Sequence, residues 1–146
     1  MSLDIRAGGV EDHAELAALW RMAWEKTRPD IDFSKRMDFI RGRLADSLAE
    51  RYRLRVAALP ERLAGFTLIE PDTALLEQIA VHPESWGDST ADRLMADGFA
   101  MHGTKLWLTV NQFNARAIRF YERHGFSKAG EGISPAGLPT YVMRIV

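Results

Sequence analysis

A loop of small residues between a predicted strand and a predicted helix is the part of the sequence best suited to bind an anion. The strand spans Ala74–Val81, and the loop that follows is Trp86-Gly87-Asp88-Ser89-Thr90-Ala91. N–H groups at the start of a helix have no partner within the helix, and the helix dipole adds partial positive charge, so both favour a phosphate group. A tight strand-to-helix connection explains the same residues equally well.

A second segment rich in functional side chains runs from Asn114 to Phe126. Asn114 is a natural N-cap residue, and Gly125 followed by an apolar residue is typical of the end of a helix. Tyr121 lies one turn beyond Ala117, and a core aromatic is the default interpretation for it. Each of these residues therefore has a structural explanation when it is considered alone.

Hydrophobic periodicity predicts the elements that must position these segments. The predicted elements are a strand at Leu3–Arg6, helices that start at Asp12 and Ser34, strands at Tyr52–Leu59, Leu63–Glu70 and Ala74–Val81, a helix at Ser89–His102, a strand at Leu106–Val110, a helix at Asn114–His124, and strands near Ser127–Glu131 and Thr140–Ile145. The order β-α-α-β-β-β-α-β-α-β-β predicts an α/β (α+β) fold with a mixed, mostly antiparallel sheet of about seven strands and flanking helices.

Two finer features of the helices follow from residue types. The second helix is predicted to bury Met37, Ile40, Leu44 and Leu48, which recur at helical spacing. Gly103 is predicted to end the helix before it in the left-handed conformation, which glycine adopts without a steric penalty.

Length and composition predict a single globular domain over residues 1–146. Apolar residues make up 47% and charged residues 27% of the chain, and no linker rich in proline, glycine or serine divides it. The net charge of −1 offers no general attraction to nucleic acid or anionic lipid, so neither is expected as a partner. No apolar run approaches the length of a membrane span and the first residues do not resemble a signal peptide, so a cytoplasmic location is expected.

Several kinds of chemistry are excluded or disfavoured by the residues present. The chain has no cysteine, which excludes disulfides, thiolate metal sites and a cysteine nucleophile. Its four histidines do not have the spacing of metal ligands, so no metal is predicted.

The order of the segments resembles the GNAT superfamily of N-acetyltransferases. In that superfamily a strand that ends in V-x-P, here Val81-His82-Pro83, precedes a pyrophosphate-binding loop and helix. Downstream, its members show the pattern N-x-x-A-x-x-[FY]-Y-x-x-x-G-F, which is matched here by Asn114, Ala117, Phe120, Tyr121, Gly125 and Phe126. The resemblance is strongest over Leu76–Phe126, and the order of elements extends it to the whole chain.

This resemblance implies a GNAT fold and an enzyme that transfers the acetyl group of acetyl-CoA to a primary amine. The acceptor is then a small amine, an amino acid or a peptide N-terminus. The backbone of Ile79, Ala80 and Val81 is expected to pair with the pantetheine arm, and N–H groups from Gly87 to Ala91 are expected to hold the pyrophosphate. The full set of cofactor-binding candidates is Ile79, Ala80, Val81, Trp86, Gly87, Asp88, Ser89, Thr90, Ala91, Asn114 and Ala117.

The resemblance also implies roles in the reaction. Tyr121 is the expected general acid for the departing thiolate, and Glu77 is the candidate base for the amine, acting directly or through water. A backbone N–H near Ala80 is the candidate oxyanion donor. Trp24 and Phe33 are candidates for the wall of the acceptor pocket.

The loop departs from the family pattern [QR]-x-x-G-x-[GA] at two residues, and a third residue adds a charge. Trp86 stands in place of glutamine or arginine, Ser89 replaces the central glycine, and Asp88 adds a negative charge. Asp88 either opposes an anionic ligand by about 0.3–1 kcal/mol or turns away and caps the helix. Arg116, Arg119, Arg123 and Lys128 form either a basic patch near the phosphates or a solvated helix face.

Two other functions remain compatible with these residues. The departures in the loop favour a non-catalytic module that binds acyl-CoA as a sensor or interaction domain. A chain that has lost CoA binding and only scaffolds partners is the third possibility. Homodimers are common among similar proteins, so a homodimer is one possible assembly of this chain, although no residue in the sequence identifies an interface.

Overall fold

The computed structural model describes residues 2–145, and its elements follow the predicted order. The strands are β1 (Asp4–Ala7), β2 (Arg53–Ala58), β3 (Leu63–Glu70), β4 (Leu75–Val81), β5 (Trp107–Asn111), β6 (Phe126–Ile133) and β7 (Pro139–Ile145). The helices are α1 (His13–Thr27), α2 (Met37–Leu48), α3 (Thr90–His102) and α4 (Ala115–Arg123). The predicted fold class, an α+β fold with seven strands and flanking helices, is confirmed.

One mixed sheet runs through the molecule in the strand order β1-β2-β3-β4-β5-β7-β6. All neighbouring strands are antiparallel except β4 and β5, which are parallel. Side chains of α1 and α2 pack on one face of the sheet, around Phe66 and Leu68. Side chains of α3 and α4 pack on the other face, around Leu94, Met95 and Ile118.

The strands β4 and β5 meet at their first residues and then diverge. Leu75 pairs with Trp107, whose backbone N donates to the carbonyl of Ala74 at 3.2 Å. Beyond this point β4 is paired with β3 and β5 is paired with β7, so each strand follows a different neighbour. The divergence leaves an opening that we call the β4–β5 gap.

A β-bulge at Glu77 changes the faces to which the residues of β4 point. Leu76 lies opposite Ile69, whereas Gln78 lies opposite Leu68, so Glu77 is the extra residue. In a regular strand Leu76 and Gln78 would share a face. Here Leu76 packs in the core beside α3 and α4, while Gln78 accepts a hydrogen bond from Trp20 of α1 on the opposite face.

The start and the end of α2 differ from the prediction. The α-helix begins at Met37, after a 3₁₀ turn at Phe33–Arg36, and not at Ser34. Asp32 caps this 3₁₀ turn, because its carboxylate accepts the backbone N–H of Ser34 at 3.0 Å, whereas α2 itself has no side-chain cap. The prediction that Leu48 is buried is wrong, since Leu48 is 57% exposed. As the last residue of α2, Leu48 extends beyond the core.

Glycines end two helices, but not in the same conformation. Gly125 follows α4 with φ +95°, and the next residue, Phe126, is buried as predicted. Gly103 has φ +58° and ψ −145°, so its φ is positive but it lacks the left-handed helical ψ that was predicted. The longest helix, α1, has 15 residues, and no helix within residues 2–145 is long and apolar enough to cross a membrane.

A buried ion pair fixes the connection between β1 and α1. Asp12 is buried and receives two hydrogen bonds from the guanidinium of Arg6, at 2.8 and 2.9 Å, and one from the backbone N of Gly9 at 3.0 Å. The hydrogen bonds from Arg6 lower the pKa of Asp12 against the opposing effect of burial. This carboxylate therefore stabilises the fold at a pH above its ordinary pKa, and the contribution is lost as the pH falls through the lowered value.

We predict that Asp12→Asn lowers the free energy of unfolding by about 1–2 kcal/mol at neutral pH. This is the usual contribution of a charge-assisted hydrogen bond, reduced because Arg6 is partly exposed to solvent. The difference from wild type should shrink in acid, where wild-type Asp12 is protonated as well. Urea unfolding at neutral and at acidic pH measures both values. Asp38→Asn, which removes an exposed carboxylate 3.7 Å from Arg41, is the control and should change stability by less than about 0.5 kcal/mol. An equal loss at both pH values would contradict the assignment.

Candidate functional site

The edge of β4 that faces the gap carries the backbone groups of Ile79 and Val81, which do not pair with β3. The backbone N of His82 donates to the carbonyl of Ala64 at 2.8 Å, and hydrogen-bonded pairs alternate along antiparallel strands. The N–H and C=O groups of Ala80 therefore point toward β3, whereas those of Ile79 and Val81 point toward the β4–β5 gap. Backbone N–H groups next to Ala80 are thus available to a molecule in the gap.

The loop at residues 86–91, called here the 86–91 loop, connects β4 to α3 through a short 3₁₀ turn. Gly87 has φ +86°, and no atom lies within 4 Å of the position that a Cβ would occupy there. Ser89 is the N-cap residue of α3, but its side chain makes no capping hydrogen bond. The carboxylate of Asp88 instead accepts the N–H of Thr90 at 2.8 Å. The sequence left open whether Asp88 faces an anionic ligand or turns away to cap the helix, and in the structure it caps the helix.

Backbone donors remain available around this cap. Within residues 2–145 the N–H groups of Gly87, Ser89 and Ala91 have no hydrogen-bond acceptor, whereas that of Thr90 is taken by Asp88. Unpaired N–H groups at the positive end of a helix are suited to an anion. The 86–91 loop therefore has the donors of a phosphate site, with one of them already used.

Trp86 fixes the loop to three other elements. Its indole N–H donates to the carbonyl of Val81 at 2.8 Å, which uses one acceptor on the free edge of β4. The guanidinium of Arg116, in α4, lies 3.8 Å from the centroid of the indole ring. The ammonium of Lys26, in α1, lies 4.8 Å from the same ring. Trp86 thus brings two cations to the entrance of the gap.

The helix α4 presents Asn114 and Tyr121 on the same side, since they are about two turns apart. Asn114 is the N-cap, and its side-chain oxygen accepts the N–H of Ala117 at 3.2 Å, as the sequence predicts. Tyr121 is 8% exposed, and its ring contacts that of Phe126 with centroids 6.0 Å apart. Burial raises the pKa of its hydroxyl well above the ordinary value, so Tyr121 keeps its proton throughout the neutral range.

Glu77 lies on the opposite face of the sheet from Tyr121, beside α2. The bulge turns it toward Arg43, whose Nε donates to its carboxylate Oε1 at 2.9 Å. The Glu77 side chain is 19% exposed, and its Oε2 makes no hydrogen bond with a residue from 2 to 145. Burial, together with the charge of Glu77, raises the pKa of the nearby Tyr52 hydroxyl. Arg43 thus fixes one oxygen of the Glu77 side chain and leaves the other available.

Aromatic side chains cover the region between Glu77 and the first helix. Phe33 is 3% exposed and stacks on Trp24, with ring centroids 5.5 Å apart, so Phe33 is part of the core and Trp24 is its half-buried neighbour. Trp20 is in the core, and its indole N–H donates to the side-chain oxygen of Gln78 at 3.1 Å. On the side nearer α4, the guanidinium of Arg28 lies 4.5 Å from the centroid of Phe113.

Sequence reasoning missed several residues that the fold adds to this region. They are Lys26, Arg28, Arg43, Tyr52, Gln78 and Phe113. Arg43 and Glu77 are 34 positions apart, and no motif in the sequence connects them. Gln78 could have been singled out from the sequence, because it is a polar residue within a mostly apolar strand. The face of the sheet to which its side chain points depends on the bulge at Glu77, which the sequence does not reveal. Within residues 2–145 no cluster of three or more His, Asp or Glu side chains is arranged to hold a metal ion.

Comparison with known proteins defines the class of this chain. The model of the acetyltransferase (GNAT) family matches residues 13–126. The chain therefore belongs to the GNAT acetyltransferase family. No curated protein sequence matches it.

Solved structures share the fold over nearly the whole chain. The apo form of YjaB from Escherichia coli is 22% identical, with a TM-score of 0.84, and the match covers 100% of this chain and 99% of YjaB. The PaiA N-acetyltransferase of Thermoplasma acidophilum, solved with coenzyme A, is 19% identical, with a TM-score of 0.79 and 99% of both chains covered. The ribosomal-protein-S18-alanine N-acetyltransferase of Escherichia coli is 19% identical, with a TM-score of 0.75, 99% of this chain and 93% of that chain covered. At these identities the likeness establishes the fold.

We predict that two substitutions of Asp88 separate its hydrogen bond from its charge. Asp88→Ala removes the acceptor of the Thr90 N–H and should lower the free energy of unfolding by about 1 kcal/mol, the usual loss for a helix cap. Asp88→Asn keeps an oxygen acceptor and should change stability by less than about 0.5 kcal/mol. Chemical denaturation of the three proteins provides the values. Equal losses in both variants would show that the charge, and not the hydrogen bond, stabilises the start of α3.

Proposed function

We propose that this protein is an N-acetyltransferase that transfers the acetyl group of acetyl-CoA to a primary amine. The observation that carries the proposal is the β4–β5 gap in a member of the GNAT family. The backbone groups of Ile79 and the N–H of Val81 face this gap without a partner, and N–H groups of the 86–91 loop, which follows β4, are unpaired among residues 2–145. An extended arm with amide groups can pair with such an edge as another strand would.

The residues of the loop fit a pyrophosphate group. Space around Gly87 is open, and the N–H groups of Gly87, Ser89 and Ala91 have no partner among residues 2–145. The negative charge of Asp88 opposes an anion, but its carboxylate is turned onto the N–H of Thr90. Asn114 and Ala117, at the start of α4, complete the proposed cofactor site. The solved complex of PaiA with coenzyme A supports the use of a CoA thioester by this fold.

Glu77 is the proposed base. A protonated amine is not a nucleophile, and its proton must be removed before the nitrogen can attack a carbonyl carbon. The free Oε2 of Glu77 can accept that proton directly or through one water molecule, while Arg43 holds Oε1 and fixes the carboxylate. Half-buried Trp24 is proposed as a wall of the acceptor pocket, with Phe33 supporting it from the core. The acceptor class is a small amine, an amino acid or a peptide N-terminus.

Tyr121 is the proposed acid. Acetyl-CoA supplies a thioester carbonyl that the amine attacks and a thiolate that leaves. The free N–H groups beside Ala80 are suited to stabilise negative charge on the carbonyl oxygen. The Tyr121 hydroxyl donates its proton to the thiolate sulfur and regains one from solvent, so the reaction yields an amide, a free thiol and one proton. Burial keeps this hydroxyl protonated at neutral pH, as an acid requires.

We predict that acetyl-CoA stabilises the purified protein in a saturable manner. At about 100 times the dissociation constant, a ligand that binds only the folded state adds about 2.7 kcal/mol. In a domain of this size each kcal/mol raises the unfolding midpoint by about 2–4 °C, so a rise of several degrees is expected. Thermal unfolding across an acetyl-CoA titration measures it.

ATP at matched concentrations is the control for non-specific anion binding and should give no comparable rise. No shift at millimolar acetyl-CoA would contradict the proposed cofactor and favour a protein that only scaffolds partners. Saturable binding without turnover across a broad panel of amines would favour a non-catalytic module that binds acyl-CoA.

We predict that Tyr121→Phe and Glu77→Gln both slow acetylation by about a hundredfold, near the lower end for general acid–base catalysis. The two losses should differ in their dependence on pH. The loss in Glu77→Gln should shrink as the pH rises, because a growing fraction of the amine is already deprotonated. The loss in Tyr121→Phe should stay constant across the neutral range, where the wild-type hydroxyl remains protonated. Release of free CoA thiol, followed with an amine that the panel identifies, measures the rates.

Tyr141→Phe is the matched control, since Tyr141 is a half-buried tyrosine that packs against the same core cluster as Tyr121. Its rate should equal that of the wild type within about twofold. All three variants should keep the thermal shift with acetyl-CoA. If Tyr121→Phe retains full activity, Tyr121 is not the acid.

A further inference from the structure

Arg116 lies where local physics disfavours a cation. It is in the first turn of α4, and this turn contains no acidic residue. A positive charge at a helix N-terminus opposes the helix dipole by about 0.3–1 kcal/mol. Arg116 is exposed and forms no salt bridge within residues 2–145, and its partial burial lowers its pKa. A cation with these costs and no acidic partner is a candidate for binding an anion.

The structure directs this cation at the 86–91 loop. The guanidinium of Arg116 lies 3.8 Å from the ring centroid of Trp86, within the range of a cation–π interaction. Trp86 is itself held in place by its hydrogen bond to the carbonyl of Val81. The next residue along the chain is Gly87, whose N–H has no acceptor among residues 2–145. The stack therefore fixes a positive charge beside the free N–H groups of the loop.

Other charged groups near the stack leave this positive charge uncompensated. Asp88, in the same loop, is turned onto the N–H of Thr90 and forms no salt bridge with Arg116. Lys26 adds a second cation, 4.8 Å from the same indole ring. Arg123, seven residues after Arg116 and on the same side of α4, bonds Asp92 in the first turn of α3 at 2.8 Å. This side of α4 thus faces the start of α3 and its loop.

We propose that Arg116, positioned by stacking on Trp86, binds the pyrophosphate of CoA. In the family pattern the first position of the loop is glutamine or arginine, and here that position is Trp86. A guanidinium from α4 would then replace the polar side chain that the loop lacks, with the indole ring as its support. This inference rests on the proposed use of acetyl-CoA, and its test separates the two.

The test compares the affinity of the protein without acceptor for CoA and for pantetheine, which has the same arm but no phosphate. We expect Arg116→Gln to weaken CoA binding about tenfold, the loss of one charge-assisted contact, and to leave pantetheine binding unchanged. Arg119→Gln is the matched control, because it removes a charge from the same helix without contact to Trp86. It should change the affinity for CoA less than about twofold. Nuclear magnetic resonance titration measures strong and weak binding on the same samples.

To test the role of Trp86, a second variant is needed, together with a measurement that a purely structural change would leave unaltered. Trp86→Leu should weaken CoA binding by a similar factor while Arg116 is still present. For each variant, the difference from wild type should shrink as the concentration of sodium chloride rises, because salt screens the charge that the variant removes or releases. Melting temperatures without ligand identify any variant that is misfolded.

The outcomes separate the inference from the proposed function. If wild-type protein binds no CoA, both fail. If wild type binds CoA and Arg116→Gln binds it equally well, the assignment of Arg116 is wrong and the proposed function stands. Equal weakening for CoA and pantetheine would also overturn the assignment, since the effect would not depend on phosphate. Full CoA affinity in Trp86→Leu would show that Arg116 needs no support from the indole ring.

Discussion

The arrangement of the site depends on how β4 and β5 are held apart. The two strands are joined at Leu75 and Trp107, and the indole N–H of Trp107 is bound to the carbonyl of Thr73 in the turn before β4. From there β4 follows β3 and β5 follows β7, and each antiparallel partner supplies more backbone hydrogen bonds than the β4–β5 contact does. The directions of the two strands are therefore set by their outer neighbours. Because β4 and β5 follow different neighbours, they move apart beyond their first residues. Their separation exposes one edge of β4 in the middle of the sheet.

The bulge in β4 directs neighbouring side chains of this strand to opposite faces of the sheet. One extra residue places Leu76 in the core beside α3 and α4 and turns Glu77 and Gln78 toward α1 and α2. Strand residues alternate strictly without such an insertion, so a polar side chain at this point would otherwise enter an apolar core. The same insertion therefore satisfies the packing of Leu76 and presents a carboxylate beside the gap. Fold stability and the candidate chemistry have the same local cause.

The order of elements, the cap at Asn114 and the helix end at Gly125 could be predicted because each depends on local periodicity or on one residue type. The start of α2 could not be predicted, since Asp32 caps a 3₁₀ turn ahead of the helix and no capping side chain marks the change to α-helix at Met37. Contacts between distant segments were also beyond reach. The pair of Arg43 with Glu77 and the stack of Arg116 on Trp86 join residues that no motif connects, and they arise from the twist of the sheet and the bulge.

The two proposed proton-transfer groups lie on opposite faces of one sheet, and this separation is chemically useful. Glu77 is beside α2 and Tyr121 is in the core beneath α4, so neither can neutralise the other by a direct hydrogen bond. A sheet with complete pairing would isolate the two faces, whereas β4 and β5 pair only at Leu75 and Trp107. An amine that approaches from the side of α1 and α2 meets a carboxylate, and a leaving group on the other side meets a buried hydroxyl. If the proposed roles hold, the opening in the sheet would let the proposed base and acid act on the same molecule without contact between them.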